Sequence, residues 1–166
     1  MNYRIAVYND DYKQSIIDLI LPIQTEEFNV AITAADQPDL QDISGYYQQG
    51  AGNFWVAIID GTVIGTIALS DIGNQQGALR KMFVHKDYRG AAYGVAQSLL
   101  NKLLLWAKEK ELQEIFLGTT DKFHAAHRFY EKNDFQRVAV EALPGNFSRM
   151  AVDSIFYRYS FIPAII

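Results

Sequence analysis

The chain contains no cysteine, which excludes a disulfide framework, a CxxC redox pair, a thiolate zinc site and a cysteine nucleophile. Four prolines and eleven glycines are scattered through it, and no Pro/Gly/Ser-rich linker, block of like charges, low-complexity tract or internal repeat divides it. Its 166 residues therefore point to a single domain, within the ~100–200 residues usual for one. Long hydrophobic runs are missing too: the longest apolar stretches hold about half a dozen residues, against the ~20 that span a bilayer. Met1-Asn2-Tyr3-Arg4-Ile5 lacks the basic and apolar regions of a secretory leader. The expectation is a soluble cytoplasmic protein without a membrane partner. Nor is there an excess of positive charge. Fifteen Lys and Arg against nineteen Asp and Glu give a net charge of -4, a field that repels phosphate backbones, so no nucleic-acid partner is expected. What is there is a chain 49% hydrophobic, enough to bury a core unaided by metal or disulfide.

Periodicity places the elements. Tyr3 to Tyr8 reads as a strand, and Ile16, Ile17, Leu19, Ile20 and Leu21 predict a helix ending near Pro22, with Asp10 as its N-cap. Gln24 to Thr33 is ambiguous; Ala34 to Gln49 reads as a second, more polar helix closed by Gly50-Ala51-Gly52. Phe54 to Ile59, then Asp60-Gly61, then Thr62 to Leu69 is the strongest hairpin signal, because Asp-Gly supplies the positive φ of a two-residue turn. A loop from Gly73 to Gly77 leads to a strand from Ala78 to Val84. Val95, Leu99 and Leu103, with Ala96, Leu100, Leu104 and Ala107, repeat at helical spacing to about Glu111. Ile115 to Thr119 reads as a buried strand, Thr120 or Asp121 as the cap of a helix running to Lys132, and Phe135 to Leu143 and Ala151 to Phe161 as the last two strands around Pro144-Gly145-Asn146. The order β-α-α-β-β-β-α-β-α-β-β predicts an α+β fold, a mixed, mainly antiparallel sheet covered by helices on both faces.

Chemistry concentrates where the strand ending at Val84 meets the helix opening at Val95. The junction Arg89-Gly90-Ala91-Ala92-Tyr93-Gly94-Val95-Ala96 has small side chains that let a ligand reach the backbone, and a helix N-terminus presents unpaired N–H groups and partial positive charge. Arg80, Lys81, Lys86 and Arg89 fall within ten residues beside one acid, Asp87. Such a site suits a phosphate-bearing ligand, while a solvated basic face around a tight turn is the plainer alternative. The spacing matches neither a P-loop nor GxGxxG.

This junction resembles the signature loop of the GNAT superfamily of N-acetyltransferases, Gln/Arg-x-x-Gly-x-Gly/Ala. Arg89-x-x-Ala92-x-Gly94 fits it with Ala for the first Gly; a second register places Gly94-Val95-Ala96 before Gln97-Ser98-Leu99-Leu100. Downstream, Ala126-His127-Arg128-Phe129-Tyr130-Glu131-Lys132-Asn133-Asp134-Phe135 is similar to the family's Ala-x-x-Phe/Leu-Tyr-x-Lys-x-Gly-Phe, with Asp134 for Gly. Phe123 stands where the family often has Asn. The resemblance implies acetyl-CoA as co-substrate, its pyrophosphate held by the backbone of Arg89, Gly90, Ala91, Ala92, Tyr93, Gly94, Val95 and Ala96. It implies a pantetheine arm against a splayed strand at Met82, Phe83 and Val84 and beside Phe123. Tyr130 is implied as the acid that protonates the departing thiolate. The acetyl group would pass directly, in a ternary complex, to a primary amine of a small molecule or peptide.

The base that frees the amine is not singled out; Glu26, Glu27 and Asp71 are candidates, since carboxylates are ionised near neutrality. His124 and His127 stand three apart, but without Cys or an HExxH pattern no metal is expected. Two rivals stay open on the same fold, a non-catalytic acyl-CoA-binding module and a protein-interaction domain. The apolar tail from Phe161 to Ile166 is a candidate homodimer contact.

Overall fold

In the computed structural model, which describes residues 2–161, turn chemistry builds the centre of the sheet. Asp60 and Gly61 take positive φ of 49° and 79°, the two-residue reversal that Asp-Gly favours, and join β2 (Asn53–Ile59) to β3 (Thr62–Gly73). Asn74 and Gln75 do the same, with φ of 55° and 58°, so β3 runs straight into β4 (Gln76–Val84) where a longer loop was expected. With β1 (Arg4–Val7), β5 (Glu114–Thr119), β6 (Gln136–Val138) and β7 (Ile155–Ser160), they form a seven-stranded sheet in the order β1-β2-β3-β4-β5-β7-β6. Every pairing is antiparallel except β4 with β5.

Helices cover both faces. On one, α4 (Val95–Glu109) and α5 (His124–Lys132) pack Leu99, Leu103 and Tyr130 against Trp55, Ile67, Leu79, Ile115 and Leu117. On the other, α1 (Lys13–Pro22) buries Ile16, Leu19 and Ile20 with Phe54, Val56 and Ala68. The mixed sheet expected from the sequence is thus observed.

Several boundaries differ. Asn9, not Asp10, accepts the capping bond at the start, from the Asp11 N–H, and a 3-10 turn at Asp10–Tyr12 precedes α1. After Pro22 the chain winds into one π-helical turn, Ile23–Glu27. The single helix expected from Ala34 to Gln49 is two short ones, α2 (Pro38–Gln41) and α3 (Ile43–Tyr47). Asp42 breaks them with φ -142°, ψ 68°, and its carboxylate caps α3 at the Gly45 N–H. The helix α5 starts at His124 because Thr120 Oγ1 accepts from the Lys122 N–H and holds a turn there. The last two strands are shorter than expected: a 3-10 turn at Val140–Ala142 and Phe147, buried against Phe116 and Phe156, draw the intervening chain out of the sheet. The tail singled out as a dimer contact lies, beyond Phe161, outside the described residues. Among those described, no helix is long and apolar enough to cross a membrane.

Candidate active site

The strands β4 and β5 pair only from Gln76↔Glu114 to Ala78↔Phe116. Beyond that point no strand among the described residues neighbours β4 on its β5 side, and the sheet opens with backbone polar groups along a free edge. The same stretch of β4 carries a bulge. Thr66 pairs with Phe83 and Ala68 with Arg80, so three steps on β4 oppose two on β3, and Lys81 turns through φ 50°.

The bulge sets which side chains face which way. Ahead of it, Leu79 belongs to the α4/α5 side; past it, Met82 and Val84 return to that side and Phe83 joins the α1 side. Arg80 and Lys81, although consecutive, both reach partners on the α1–α3 side. Lys81 Nζ lies 3.3 Å from Asp39 Oδ2 and donates to Gln37 Oε1 at 2.7 Å. Asp39 Oδ2 also accepts from the Tyr47 hydroxyl at 2.5 Å. Burial lowers the Lys81 pKa, which Asp39 opposes, and raises that of Tyr47, reinforced by Asp39. The Arg80 guanidinium lies 4.6 Å from the Phe147 ring centroid and donates to the Ser148 carbonyl.

Tyr130 approaches the opening from α5. Its hydroxyl reaches Met82 Sδ at 3.7 Å, and the residue is 7% exposed. Burial, with a smaller contribution from Tyr157, pushes the phenol well above its ordinary range, so it stays protonated at neutral pH. A neutral buried hydroxyl beside a strand opening is suited to donate a proton there.

At the other end lies the loop expected to bind phosphate. Gly90 and Gly94 adopt φ of 102° and 67°, a conformation that L side chains avoid. Gly94 sits at the N-cap of α4, and the first bond into the helix runs from the Ser98 N–H to the Gly94 carbonyl. That leaves the N–H groups of Val95, Ala96 and Gln97 ahead of the first helical bond. Arg89 to Ala92 are exposed, and Tyr93 and Gly94 are half-buried. Backbone donors, helix dipole and small side chains meet the requirements of a pyrophosphate.

Arg89 points elsewhere. Its guanidinium donates to the Val84 carbonyl at 2.8 Å and grips Glu27 with both terminal nitrogens, at 2.7 and 3.0 Å. It ties the loop to the π-helical turn. The four basic residues grouped by the sequence therefore divide: Arg80 and Lys81 lie on the α1–α3 face, Lys86 is exposed in the 3-10 turn Lys86–Tyr88, and Arg89 is at the loop. Phe123, at the N-cap of α5, has its ring 4.2 Å from that of Phe28, which lies 6.3 Å from Phe83. These three rings form an apolar wall between the π-helical turn, β4 and α5.

Of the acids considered as bases, Glu27 is engaged with Arg89, and Asp71 accepts from the Ala51 and Gly73 N–H groups. Glu26 is exposed. His127 Nε2 hydrogen-bonds the Thr120 carbonyl at 2.8 Å. Two residues that sequence reasoning missed stand by the opening. Asp153 accepts from the Met150 N–H at 3.1 Å and packs over Gly118 of β5, where a Cβ would fall 2.5 Å from its Oδ2. Burial raises its pKa, while the Met150 N–H and Arg80 oppose the shift. Arg80 is the other, visible in the sequence only as one of several basic residues.

A strand opening with a bulged edge, a buried tyrosine beside it and a glycine-capped helix start with N–H groups ahead of its first helical bond together describe an acyl-transfer scaffold. A family model described as the acetyltransferase (GNAT) family matches residues 17–135, and the chain belongs to that family. The N-acetylaspartate synthetase of Xenopus tropicalis is 38% identical over 113 residues, 66% of this chain and 40% of that protein. Streptothricin acetyltransferase A of Bacillus subtilis is 31% identical over 137 residues, 82% of this chain and 78% of that protein. The chain spans less than half the length of the N-acetylaspartate synthetases it matches. Among solved structures, a GNAT-family acetyltransferase of Staphylococcus aureus Mu50 is 39% identical, covering 97% of this chain and all of that one (100%), with TM-score 0.90. The N-acetyltransferase PaiA of Thermoplasma acidophilum, in complex with coenzyme A, shares the fold at 16% identity, over 97% of this chain and 100% of that one, with TM-score 0.73.

Proposed function

We propose that residues 1–166 form one acetyl-CoA-dependent N-acetyltransferase domain that moves an acetyl group directly to a primary amine of a small molecule or peptide. The observation that carries this reading is the β4–β5 opening with the Tyr130 hydroxyl at its edge. When bound, acetyl-CoA supplies an activated acetyl thioester. In this reading the loop from Arg89 to Ala96 holds the pyrophosphate through its backbone, and Met82, Phe83, Val84 and Phe123 flank the pantetheine arm.

The amine enters as an ammonium and loses one proton before attack. Its nitrogen then bonds to the acetyl carbon as the carbon–sulfur bond breaks, and the sulfur takes a proton from Tyr130. The second proton of the nitrogen restores the phenol, so one proton is released overall. Backbone dipoles on the free edge of β4 offer charge stabilisation at the acetyl oxygen.

The test is thiol release from acetyl-CoA with and without a panel of amines, alongside calorimetric titration of acetyl-CoA, free CoA and ATP. Amine-dependent release supports the reading. Tight CoA binding with no turnover over the whole panel would instead mark an acyl-CoA-binding module, and absence of CoA binding an interaction domain. A cytoplasmic setting and a homodimer through the apolar tail belong to the same proposal; sedimentation with and without residues 162–166 tests the dimer.

A further inference from the structure

Arg80 and Gly118 each lie two residues beyond the last pair of the β4–β5 ladder, Ala78↔Phe116. Side chains alternate along a strand, and Ala78 and Phe116 share the cluster that contains Phe147 and Phe156. Arg80 and the Asp153 carboxylate over Gly118 therefore face each other across the mouth of the opening, on the face of Phe147. They influence each other electrostatically but make no ion pair within 4.0 Å.

Their neighbours are differently disposed. Lys81 is satisfied by Asp39 and Gln37, and Asp39 in turn by Tyr47. The guanidinium of Arg80 has five donors in a planar fork, and among the described residues it makes one hydrogen bond, to the Ser148 carbonyl. A half-buried guanidinium with a spare fork is matched by a carboxylate bound through both oxygens.

We propose that the acceptor is a zwitterionic amino acid, its carboxylate seated on Arg80 and its ammonium facing Asp153 across the mouth of the β4–β5 opening. This rests on the acetyl-transfer reading above and narrows its substrate. The separation of the two charges orients the amine toward the opening, where the acetyl group would lie. A polyamine or basic peptide would meet Arg80 as repulsion and leave its fork unused.

The test compares free L-amino acids with their α-carboxamides, which keep the amine and lose the carboxylate, and with spermidine. Two readouts are taken on the full chain: calorimetric binding to the CoA-saturated protein, and kcat/KM for thiol release with the acetylated product identified by mass. At least one free amino acid should exceed its carboxamide about 100-fold in kcat/KM and bind measurably where the amide does not, as expected when a charge-assisted bond is lost. Arg80→Gln should remove that preference by raising KM for the acid alone; Arg80→Lys should restore part of it. Equal handling of acid and amide by the unaltered protein, or preference for spermidine or the amides, would overturn the inference and leave acetyl transfer standing. Failure of every amine, with CoA still bound, would overturn both. The acid-to-amide comparison needs no variant, so it holds even if Arg80→Gln does not fold.

Discussion

The Tyr130 hydroxyl lies 3.7 Å from Met82 Sδ, a contact that joins α5 to the free edge of β4. A thioether is a weak acceptor, so the phenol is held in place without being strongly engaged. Tyr130→Phe should therefore keep the fold, because the ring contacts with Phe129, Phe135 and Tyr157 persist. It should lower kcat about 100-fold, the usual worth of a positioned acid, with KM for acetyl-CoA little changed. The pH profile gives a second check. Burial raises the folded pKa of Tyr130 above the unfolded value near 10, so ionisation of this residue should add no alkaline limb to kcat between pH 7 and about 10. The linked stability is fully present below pH ~10 and falls as the pH rises beyond it, because the unfolded chain releases that proton first. Full turnover by the Phe variant would remove Tyr130 from the chemistry.

Lys81 combines a left-handed backbone with a half-buried ion pair. Its side chain is 13% exposed and that of Asp39 18%. Asp39→Ala leaves a cation and the Tyr47 hydroxyl without their shared acceptor, and should cost about 3 kcal/mol in urea unfolding. At φ 50° a glycine is relieved of a steric cost that alanine keeps. Lys81→Gly should therefore be about 1 kcal/mol more stable than Lys81→Ala. Equal stability of the two would argue against the strained bulge.

How far the sequence foretold this arrangement follows from the range of each interaction. Asp60-Gly61 announced its hairpin because the turn depends on two residues, and the spacing of Val95, Leu99 and Leu103 announced α4 because helical period is local. The two motifs around Arg89 and Tyr130 are local as well. The Arg80–Asp153 relationship is not: it depends on the end of β4–β5 pairing at Ala78 and on a loop that Phe147 pulls over Phe116. Neither of these has a signature within a window of neighbouring residues. The break at Asp42 was hidden for a similar reason, since an Asp reads equally as an exposed helical residue or as the cap of the next helix.

The grip of Arg89 on Glu27 neutralises the cation nearest the loop. Both side chains are substantially exposed, at 44% and 32%, so Glu27→Gln should leave the melting temperature nearly unchanged. It should free positive charge beside the α4 N-terminus and tighten CoA binding a few-fold at low salt. The gain should vanish at about 1 M salt, where charges are screened within ~3 Å. Weaker binding in the Gln variant would mean that the ion pair holds the loop in its competent shape instead.

Gly118 is the point where Asp153 packs over β5 beside the β4–β5 opening. A Cβ there would lie 2.5 Å from Asp153 Oδ2, 2.8 Å from its Cγ and 3.0 Å from Phe156 Cε1. The carboxylate is the end of a side chain on a loop and can move, whereas the Phe156 ring is buried in its cluster. Gly118→Ala should thus displace Asp153 more than it disturbs the sheet, and its stability loss should stay near 1 kcal/mol, typical of a single substitution. If Asp153 faces the ammonium of the acceptor, KM for the amine should rise about 10-fold, while KM for acetyl-CoA and the binding of free CoA stay constant. Asp153→Asn should shift the same parameter in the same direction without the steric change. Equal losses in both KM values would instead show that Gly118 matters for the spacing of β4 and β5, and that Asp153 has no separate part in holding the amine.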